Sequence, residues 1–254
     1  MIQKMQDFTN LTWMAVQDLV KTGRISKAIL PIGSLEQHGP HLPLSTDTMI
    51  AEYVAREVTM RCSNAFLMPA LDLGCSGEHL GFPGTISIQP ETMANVVVDI
   101  CASVLKSAIR KMFFINGHGG NRGTIDVALG KVKQSFPEMQ VYSFTVMDIA
   151  KVRFAEIRRS ERRLVGHADE IETSMALLIR PESVDMSKAK REEPELAQPL
   201  SFETEDLARV SFGWRAEELT KSGVIGDPTT ASRETGSVLL NFVAETISKV
   251  INEL

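Results

Sequence analysis

The sequence predicts an α/β protein with a mainly parallel central sheet and helices on both faces of that sheet. Short apolar runs with the composition of buried strands alternate along the chain with longer segments of helical periodicity. The segments between successive apolar runs are long enough for crossover helices, which parallel strands need. In such folds ligands bind beyond the carboxyl ends of the strands, so a site is expected in the loops that follow the strands.

Four apolar runs are predicted as strands. The first, Lys27–Gly33, is short and apolar and ends in a glycine, which is typical of a strand covered on both sides. The other three are Ala65–Pro69, Lys111–Ile115 and Met139–Thr145.

Helices are predicted from the spacing of apolar residues and from signals at the helix ends. Asn121 is placed to cap one helix at its N-terminus, and Pro181 stops another because proline cannot continue a helix. The predicted helices cover about residues 9–22, 47–62, 91–110, 122–136, 148–158, 168–179 and 232–252.

The length of 254 residues is enough for one large core, and no internal repeat divides the chain, so a single domain over residues 1–254 is expected. Residues from about 186 to 222 break the alternation, since they are charged and contain Pro194 and Pro199. We interpret this segment as an excursion or lid that contributes either to substrate specificity or to subunit contacts.

Composition excludes several classes of partner. The formal net charge of −5 is opposite to the basic face of nucleic-acid binding proteins, so no nucleic-acid partner is expected. The N-terminus lacks the apolar centre of a secretory signal, and Asp99 interrupts the longest apolar helical pattern, so no membrane partner is expected. Three cysteines without CxxC spacing indicate a reducing cytoplasm rather than a disulfide framework or a thiolate zinc site.

The loop after the first predicted strand concentrates metal-binding side chains. It holds Glu36, His38, His41 and Asp47 within twelve positions, a mixture of oxygen and nitrogen ligands typical of Zn, Mn or Fe. In an extended segment Glu36 and His38 point to the same side, and the chain bends so that Asp47 can return to them. The two oxygens of Asp47 can bridge two ions. The alternative is that Glu36 lies on the surface and Asp47 only caps the next helix.

His118 lies in a glycine-rich turn after the third predicted strand, so it opens onto the same edge of the sheet. The N–H groups of Gly119 and Gly120, at the start of the following helix, could help to hold an oxyanion. Such turns are common, and a hydrogen-bonded polar histidine without a ligand is the alternative.

A third cluster begins at His167. If a helix starts there, Glu170 lies about 60° from His167 on the same face, whereas Glu172 points largely away from Glu170. This division predicts one ligand carboxylate beside a histidine that carries protons. The alternative is that Asp169 and Glu172 are ordinary acids of a first helical turn, although Glu172 could also orient a neighbouring ligand by hydrogen bonding.

A loop over residues 72–87 is predicted to face the same pocket. Ser76, Glu78 and His79 are candidates for contact with substrate. The alternative is that Glu78 and His79 form a hydrogen-bonded pair that fixes the turn after them.

Four motifs together resemble the creatininase family of metal-dependent amidohydrolases. In chain order they are GSLEQHGPHLPLSTD, GEHLGFPGTISI, NGHGGN and HADEIETS. The resemblance covers about residues 25–180 and residues 223–228. It implies a three-layer α/β/α sandwich, a homo-oligomer that is often a hexamer, and two divalent metal ions per chain, with Zn favoured and Mn or Fe as alternatives.

The resemblance also implies roles for individual residues. By position, Glu36 and His118 would hold one ion, His38 would hold the other, and Asp47 would bridge the two ions. His167 is similar to the family residue that shuttles a proton to the leaving nitrogen.

Two departures from the namesake enzyme change these expectations. Creatininase itself has a glutamate ligand where this chain has Gly120, and other branches carry a glutamate at the position of Glu170. Glu170 is therefore the predicted fifth ligand, and Glu172 is assigned a catalytic, orienting role. Creatininase also places a tryptophan where this chain has Arg163, so creatinine is not the expected substrate.

The predicted function is hydrolysis of a cyclic amide or another C–N bond of a small molecule, other than a peptide bond. A ring ketone of an inositol derivative, a formamide or a phosphoester are alternatives on the same site. A non-catalytic, metal-binding assembly subunit is the alternative from a different functional class.

Overall fold

The computed structural model describes residues 6–161, 166–194 and 213–254. Its strands are β1 (Gln6–Asp7), β2 (Lys27–Ile32), β3 (Ala65–Leu67), β4 (Lys111–Asn116) and β5 (Gln140–Thr145). Its α-helices are α1 (Trp13–Lys21), α2 (Thr46–Arg61), α3 (Pro90–Lys106), α4 (Arg122–Ser135), α5 (Val146–Ile157), α6 (Glu170–Ile179), α7 (Ala216–Leu219) and α8 (Arg233–Glu253).

The described strands form a five-stranded parallel sheet in the order β1-β3-β2-β4-β5. Strands β2 and β4 pair along their whole length, from Lys27 opposite Lys111 to Ile32 opposite Asn116. Their carboxyl ends therefore meet at the same point of the sheet edge. The prediction of an α/β fold with a mainly parallel sheet is confirmed.

Alternate residues of the central strands enter two separate cores. Ile29 and Phe113 pack with α2, α5, α6 and α8 on one face of the sheet. Leu30, Met112 and Phe114 pack with α3 and α4 on the other face. Because both faces are covered, the strands read as continuous apolar runs rather than alternating ones. This arrangement is the three-layer α/β/α sandwich that the family resemblance implies.

Helix boundaries differ from the predicted ones where local hydrogen bonds or turns intervene. Helix α1 begins at Trp13, later than predicted, because the Thr12 hydroxyl accepts a hydrogen bond from the backbone N–H of Ala15. Helix α3 ends at Lys106, four residues before the predicted end. Ala108, with a φ of 62°, then takes the left-handed conformation that turns the chain into β4.

Asn121 precedes α4 as predicted, but its side chain does not cap the helix. Its amide nitrogen donates to the carbonyl oxygen of Gly33 and to Asn116 Oδ1, while its Oδ1 accepts from the N–H of Cys75. Asn121 therefore joins three loops at the carboxyl edge of the sheet.

Two glycines let these loops approach the start of α2. A Cβ atom on Gly33 would lie 2.2 Å from Thr48 Oγ1, and a Cβ atom on Gly117 would lie 2.3 Å from the carbonyl oxygen of Asp47. Larger residues at either position would push the first turn of α2 away from the sheet. The close approach places Asp47 between the loops that follow β2 and β4.

The predicted excursion at residues 186–222 is described only in part, because residues 195–212 lie outside the described residues. Before that gap, Glu192 pairs with Gly226 in an isolated antiparallel bridge, and after it the short helix α7 packs near the loop that contains His79. Among the described helices, none combines the length and apolar character that crossing a membrane requires.

Substitution of Gly236 by alanine tests the packing of α6 against α8. The new Cβ would lie 2.0 Å from the carbonyl oxygen of Ser174, which is backbone and cannot rotate away. We expect Gly236→Ala to lower the free energy of unfolding by about 1–3 kcal/mol, measured by urea denaturation.

Gly130 in α4 provides the matched control, because a Cβ there would meet nothing within 4 Å. We expect Gly130→Ala to raise the free energy of unfolding by about 0.5–1 kcal/mol, since alanine favours the helix. Equal stability of the two variants would contradict the close α6–α8 contact.

Candidate metal centre and active site

Five side chains meet at the carboxyl edge of the sheet. They come from the loop after β2, the first turn of α2, the turn after β4, and α6. Each is at most 5% exposed: Glu36, His38, Asp47, His118 and Glu172. Four of these five residues are predicted metal ligands, and Glu172 is predicted instead as a catalytic residue.

One group of possible ligands is formed by Glu36, Asp47 and His118. His118 Nδ1 lies 3.2 Å from Glu36 Oε2 and 3.1 Å from Asp47 Oδ2. Ligand atoms about 2.0–2.2 Å from one zinc ion are separated by about 3–3.5 Å when the geometry is tetrahedral. The three side chains therefore have the spacing of ligands of a single ion.

A second group is formed by His38, Asp47 and Glu172. His38 Nε2 lies 3.2 Å from Asp47 Oδ1 and 3.7 Å from Glu172 Oε2. Asp47 directs one oxygen to each group and thus has the position of a bridge between two ions.

The buried polar atoms of the centre fit a pair of cations. Within the described part of the chain, His38 Nε2 and Asp47 Oδ2 are buried and have no hydrogen-bond partner. Leaving such atoms without a partner is costly in a protein interior. A metal ion in each group would satisfy both atoms, so the residues present fit a dinuclear centre.

Hydrogen bonds to the backbone aim the histidine nitrogens at this centre. His38 Nδ1 lies 3.2 Å from the carbonyl oxygen of Glu36, and His118 Nε2 lies 2.9 Å from that of Cys75. Because a carbonyl oxygen only accepts, these nitrogens carry the protons of the neutral rings. The opposite nitrogens then present their lone pairs to the centre, which is how backbone contacts prepare metal-binding histidines.

The electrostatics of the centre favour positive charge. Burial raises the pKa of Glu36 to about 7 and that of Glu172 to about 8. Burial alone would lower the pKa values of His38 and His118, but the neighbouring carboxylates, chiefly Asp47 and Glu36, raise both to about 10. A site that binds protons this readily also attracts divalent cations, which compete for the same lone pairs.

Glu170 is not placed where the sequence-based assignment expects it. Its carboxylate accepts hydrogen bonds from the N–H groups of Arg159 and Ser160, at 2.9 Å and 2.8 Å, and so anchors the segment after α5. It belongs to none of the ligand groups found among the described residues. Glu172 instead lies in a group with His38 and Asp47, so the two glutamates exchange the positions that the sequence-based assignment gives them.

The exchange has a clear backbone cause. The prediction starts the helix near His167, but α6 begins at Glu170 and is capped by the carboxylate of Asp169. Ala168 has a φ of 51°, a left-handed conformation, which turns the chain sharply before the helix. The Ala168 N–H then donates to Glu172 Oε2 at 2.6 Å and fixes that carboxylate beside His38.

His167 lies beside the candidate metal ligands. Its Nδ1 is 3.7 Å from Glu36 Oε1, and its ring centroid is 4.3 Å from that of His38. The ring of His79 is also adjacent to it, with a centroid distance of 4.4 Å. His79 is itself buried, with Nε2 3.7 Å from Glu36 Oε1.

The remaining predicted substrate contacts fall in different places. Ser76 is fully buried and donates to Glu36 Oε2 at 2.5 Å, so it holds a carboxylate in place rather than facing a pocket. Glu78 Oε1 is partly exposed and 4.0 Å from His118 Nε2. Gly119 and Gly120 form an exposed 3₁₀ turn directly after His118, where their backbone remains accessible.

His41, which shares the first motif, does not lie in the cluster of ligands. Its Nε2 is 2.9 Å from the hydroxyl of Thr173, so it ties the loop to α6. Sequence reasoning missed Gln37, whose side chain lies between His79 and His167. Its position between two predicted ligands was the available signal, but an amide is a weaker cue than a carboxylate or an imidazole.

Almost the whole chain is similar in sequence to known hydrolases. The profile of the family described as creatininase, creatinine amidohydrolase, matches residues 9–251. A mycofactocin precursor peptide peptidase of Mycobacterium tuberculosis is 34% identical over 228 residues, which cover 82% of this chain and 77% of that protein. The creatinine amidohydrolase of Pseudomonas putida is 28% identical over 257 residues, which cover 96% of this chain and 95% of that protein.

Comparison of the fold with solved structures also finds creatininases. A solved structure of a creatininase variant, described as the Zn-Zn type, matches with a TM-score of 0.84 at 25% identity, covering 99% of this chain and 98% of that chain. The resemblance carried by the four motifs is therefore confirmed over almost the whole length. The chain belongs to the creatininase family.

Proposed function

We propose that the protein is a metal-dependent hydrolase that cleaves an amide C–N bond at a dinuclear centre. The observation that carries the proposal is the position of Asp47, whose Oδ2 lies beside His118 and whose Oδ1 lies beside His38. Asp47 belongs to two of the three overlapping groups of possible ligands among the described residues, and the third group joins Glu36, His38 and His167. We propose Glu36 and His118 as ligands of one ion, His38 and Glu172 as ligands of the other, and Asp47 as the bridge.

Two divalent cations at these positions would act as Lewis acids and lower the pKa of a water molecule to about 7. Zn²⁺ is favoured by the nitrogen and oxygen donors, and Mn²⁺ or Fe²⁺ suits the same set. The Zn-Zn description of the related creatininase structure supports zinc.

The reaction needs one proton carrier, and His167 is suited to that role. Water attacks the amide carbon, a C–O bond forms, and the proton lost by the water moves to His167 Nδ1. The C–N bond then breaks, and His167 returns the proton to the leaving nitrogen. Burial and the neighbouring His38 keep the pKa of His167 low, so its ring is neutral and ready to accept the proton. The backbone N–H groups of Gly119 and Gly120 are candidates to stabilise the oxyanion.

The substrate class is a small molecule with an amide bond, and the relatives point to two versions of it. The Pseudomonas putida relative is a creatinine amidohydrolase, and creatinine is a cyclic amide. The Mycobacterium tuberculosis relative, which is more similar to this chain, is a peptidase. We propose a cyclic amide or other non-peptide C–N bond as the first candidate. The higher identity to the peptidase makes cleavage of a short peptide the second candidate.

The oligomeric state, the cellular location and the domain organisation are also proposals. Exposed Trp13 and Met14 on α1 supply apolar surface for a homo-oligomer, with a hexamer favoured by the family resemblance. Three free, buried cysteines support a cytoplasmic protein. We propose a single domain in which the described end of the segment at residues 186–222 borders the active site, supported by the edge-on contact of Trp214 with His79.

A substrate panel tests the proposed reaction. We expect the zinc- or manganese-loaded protein either to add one water to a cyclic amide and open its ring, or to split a formamide or short peptide into an amine and a carboxylate, measured by mass spectrometry of the products. A protein that cleaves a ring ketone or a phosphoester but no member of the amide panel would contradict C–N hydrolysis.

Two glutamate variants test the ligand assignment. Glu172→Gln removes a carboxylate charge from the second ligand group, so we expect metal content to fall from about two ions to about one per chain. Glu170→Gln alters only the anchor of Arg159 and Ser160, so we expect it to retain both ions and to lower the melting temperature. Inductively coupled plasma mass spectrometry and thermal unfolding provide the two readouts. Loss of metal from Glu170→Gln with full metal in Glu172→Gln would restore the original assignment.

A histidine variant tests proton transfer. We expect His167→Ala to keep both ions and to lower kcat by about 10²–10⁴-fold, because no other carrier replaces it. His41→Gln, which preserves a polar contact to Thr173 away from the centre, is the control and should keep its turnover. Full activity of His167→Ala would exclude the proposed role.

A further inference from the structure

Gln37 is a buried amide at the centre of the active-site hydrogen bonds. Its Nε2 lies 2.9 Å from His79 Nδ1 and 3.2 Å from the carbonyl oxygen of Gly223, and its Oε1 lies 2.9 Å from the N–H of Gly39. The two backbone partners fix the orientation of the amide. The Gly39 N–H requires the acceptor oxygen, and the Gly223 carbonyl requires the donor nitrogen.

The amide determines which nitrogen of His79 carries a proton. An amide nitrogen can only donate, so the Nδ1 of His79 must accept and carries no proton. The proton of the neutral ring then lies on Nε2. That N–H group is 3.7 Å from Glu36 Oε1 and faces the metal centre.

The backbone of the same residue determines the proton position of His167. The carbonyl oxygen of Gln37 lies 2.7 Å from His167 Nε2, and because it can only accept, His167 donates from Nε2. The amide nitrogen of Gln37 is farther from this atom, at 3.1 Å, and its two hydrogens are directed to His79 and Gly223, so it does not donate to His167. Its Nδ1 is therefore bare, and it lies 3.7 Å from the same Glu36 Oε1. Both rings therefore carry their proton on Nε2. His79 directs this protonated Nε2 toward Glu36 Oε1, whereas His167 directs its unprotonated Nδ1 toward the same oxygen.

The backbone at Gly223 is shaped to receive the Gln37 side chain. Gly223 has a φ of 85°, which favours glycine, and a Cβ there would lie 1.9 Å from Gln37 Oε1. Any larger residue at that position would displace the amide. The loop that follows α7 therefore holds the Gln37 amide in its hydrogen-bonded position.

We propose that Gln37 is a positioning residue that makes His79 a hydrogen-bond donor and His167 a proton acceptor, both directed toward the part of the centre beside Glu36 Oε1. The proposal rests on the hydrolase function proposed above. His79 then donates from Nε2 to the oxygen that becomes negative during attack, and His167 accepts the proton from water at Nδ1. Neither ring can exchange roles with the other while both contacts to Gln37 hold.

The test reads the tautomers directly by long-range ¹H–¹⁵N correlation spectra of imidazole nitrogens in tag-free, zinc-loaded protein. The chain has only five histidines, so single His→Gln variants assign the signals. We expect His79 and His167 each to be protonated at Nε2 and bare at Nδ1. A proton on His79 Nδ1 in the unmodified protein would overturn the proposal.

Gln37→Glu provides the decisive comparison, because a carboxylate only accepts. We expect His79 to gain a proton at Nδ1, whereas His167, which is held by the backbone carbonyl of residue 37, keeps its pattern and serves as the internal control. An unchanged His79 signal would contradict the proposed contact.

Gln37→Met keeps the size of the side chain and removes both hydrogen-bonding groups. We expect zinc content to remain the same and kcat to fall about 10²-fold with a smaller change in KM, the size of effect seen when an oxyanion donor is lost. Unchanged kcat would exclude a positioning role. The spectra report on the tautomers even if no amide substrate is found, so failure of the hydrolase function and failure of this proposal are distinguishable.

Discussion

The carboxylate of Asp47 is the constraint on which the rest of the site depends. It lies in the first turn of α2, between the loops that follow the paired strands β2 and β4, and it faces His38 on one side and His118 on the other. This position exists only because Gly33 and Gly117 let both loops approach the helix. The parallel pairing of β2 with β4 ends both strands at the same edge of the sheet, so the register of the strands determines the geometry of the site.

The concentration of buried acid around this point couples the centre to the stability of the fold. Burying several carboxylates together is costly unless cations or hydrogen bonds compensate for the lost hydration. Ser76 and the N–H of Ala168 donate to Glu36 and Glu172, but Asp47 Oδ2 is left without a hydrogen-bond partner among the described residues. Metal ions that bind only the folded protein would add their binding free energy to its stability. Cations at this centre would thus serve the stability of the fold as well as the reaction.

The sequence was sufficient to predict four of the five described strands, the layers and the loops that carry the site, since buried parallel strands leave a strong apolar pattern. The two-residue strand β1 is too short to leave such a pattern. The sequence also predicted Glu36, His38, Asp47 and His118 as neighbours, because each follows a strand or begins a helix at the same edge. It did not predict the start of α6, where one left-handed residue, Ala168, precedes the helix and decides which glutamate lies beside His38. A single backbone angle of this kind leaves no trace in hydrophobic periodicity. Hydrogen bonds of amides such as Gln37 are equally hidden, because their partners are distant in sequence.

Gly120 has a consequence for how family members can differ from one another. A Cβ at this position would lie 2.4 Å from the carbonyl oxygen of Cys75 and 2.5 Å from His118 Nε2, the two atoms whose hydrogen bond aims the His118 ring. A side chain could not be restored here without moving the Cys75 loop. A glutamate at this turn would therefore need a shift of the Cys75 loop as well, so a change of this one residue would not be enough to convert one arrangement of carboxylates into the other.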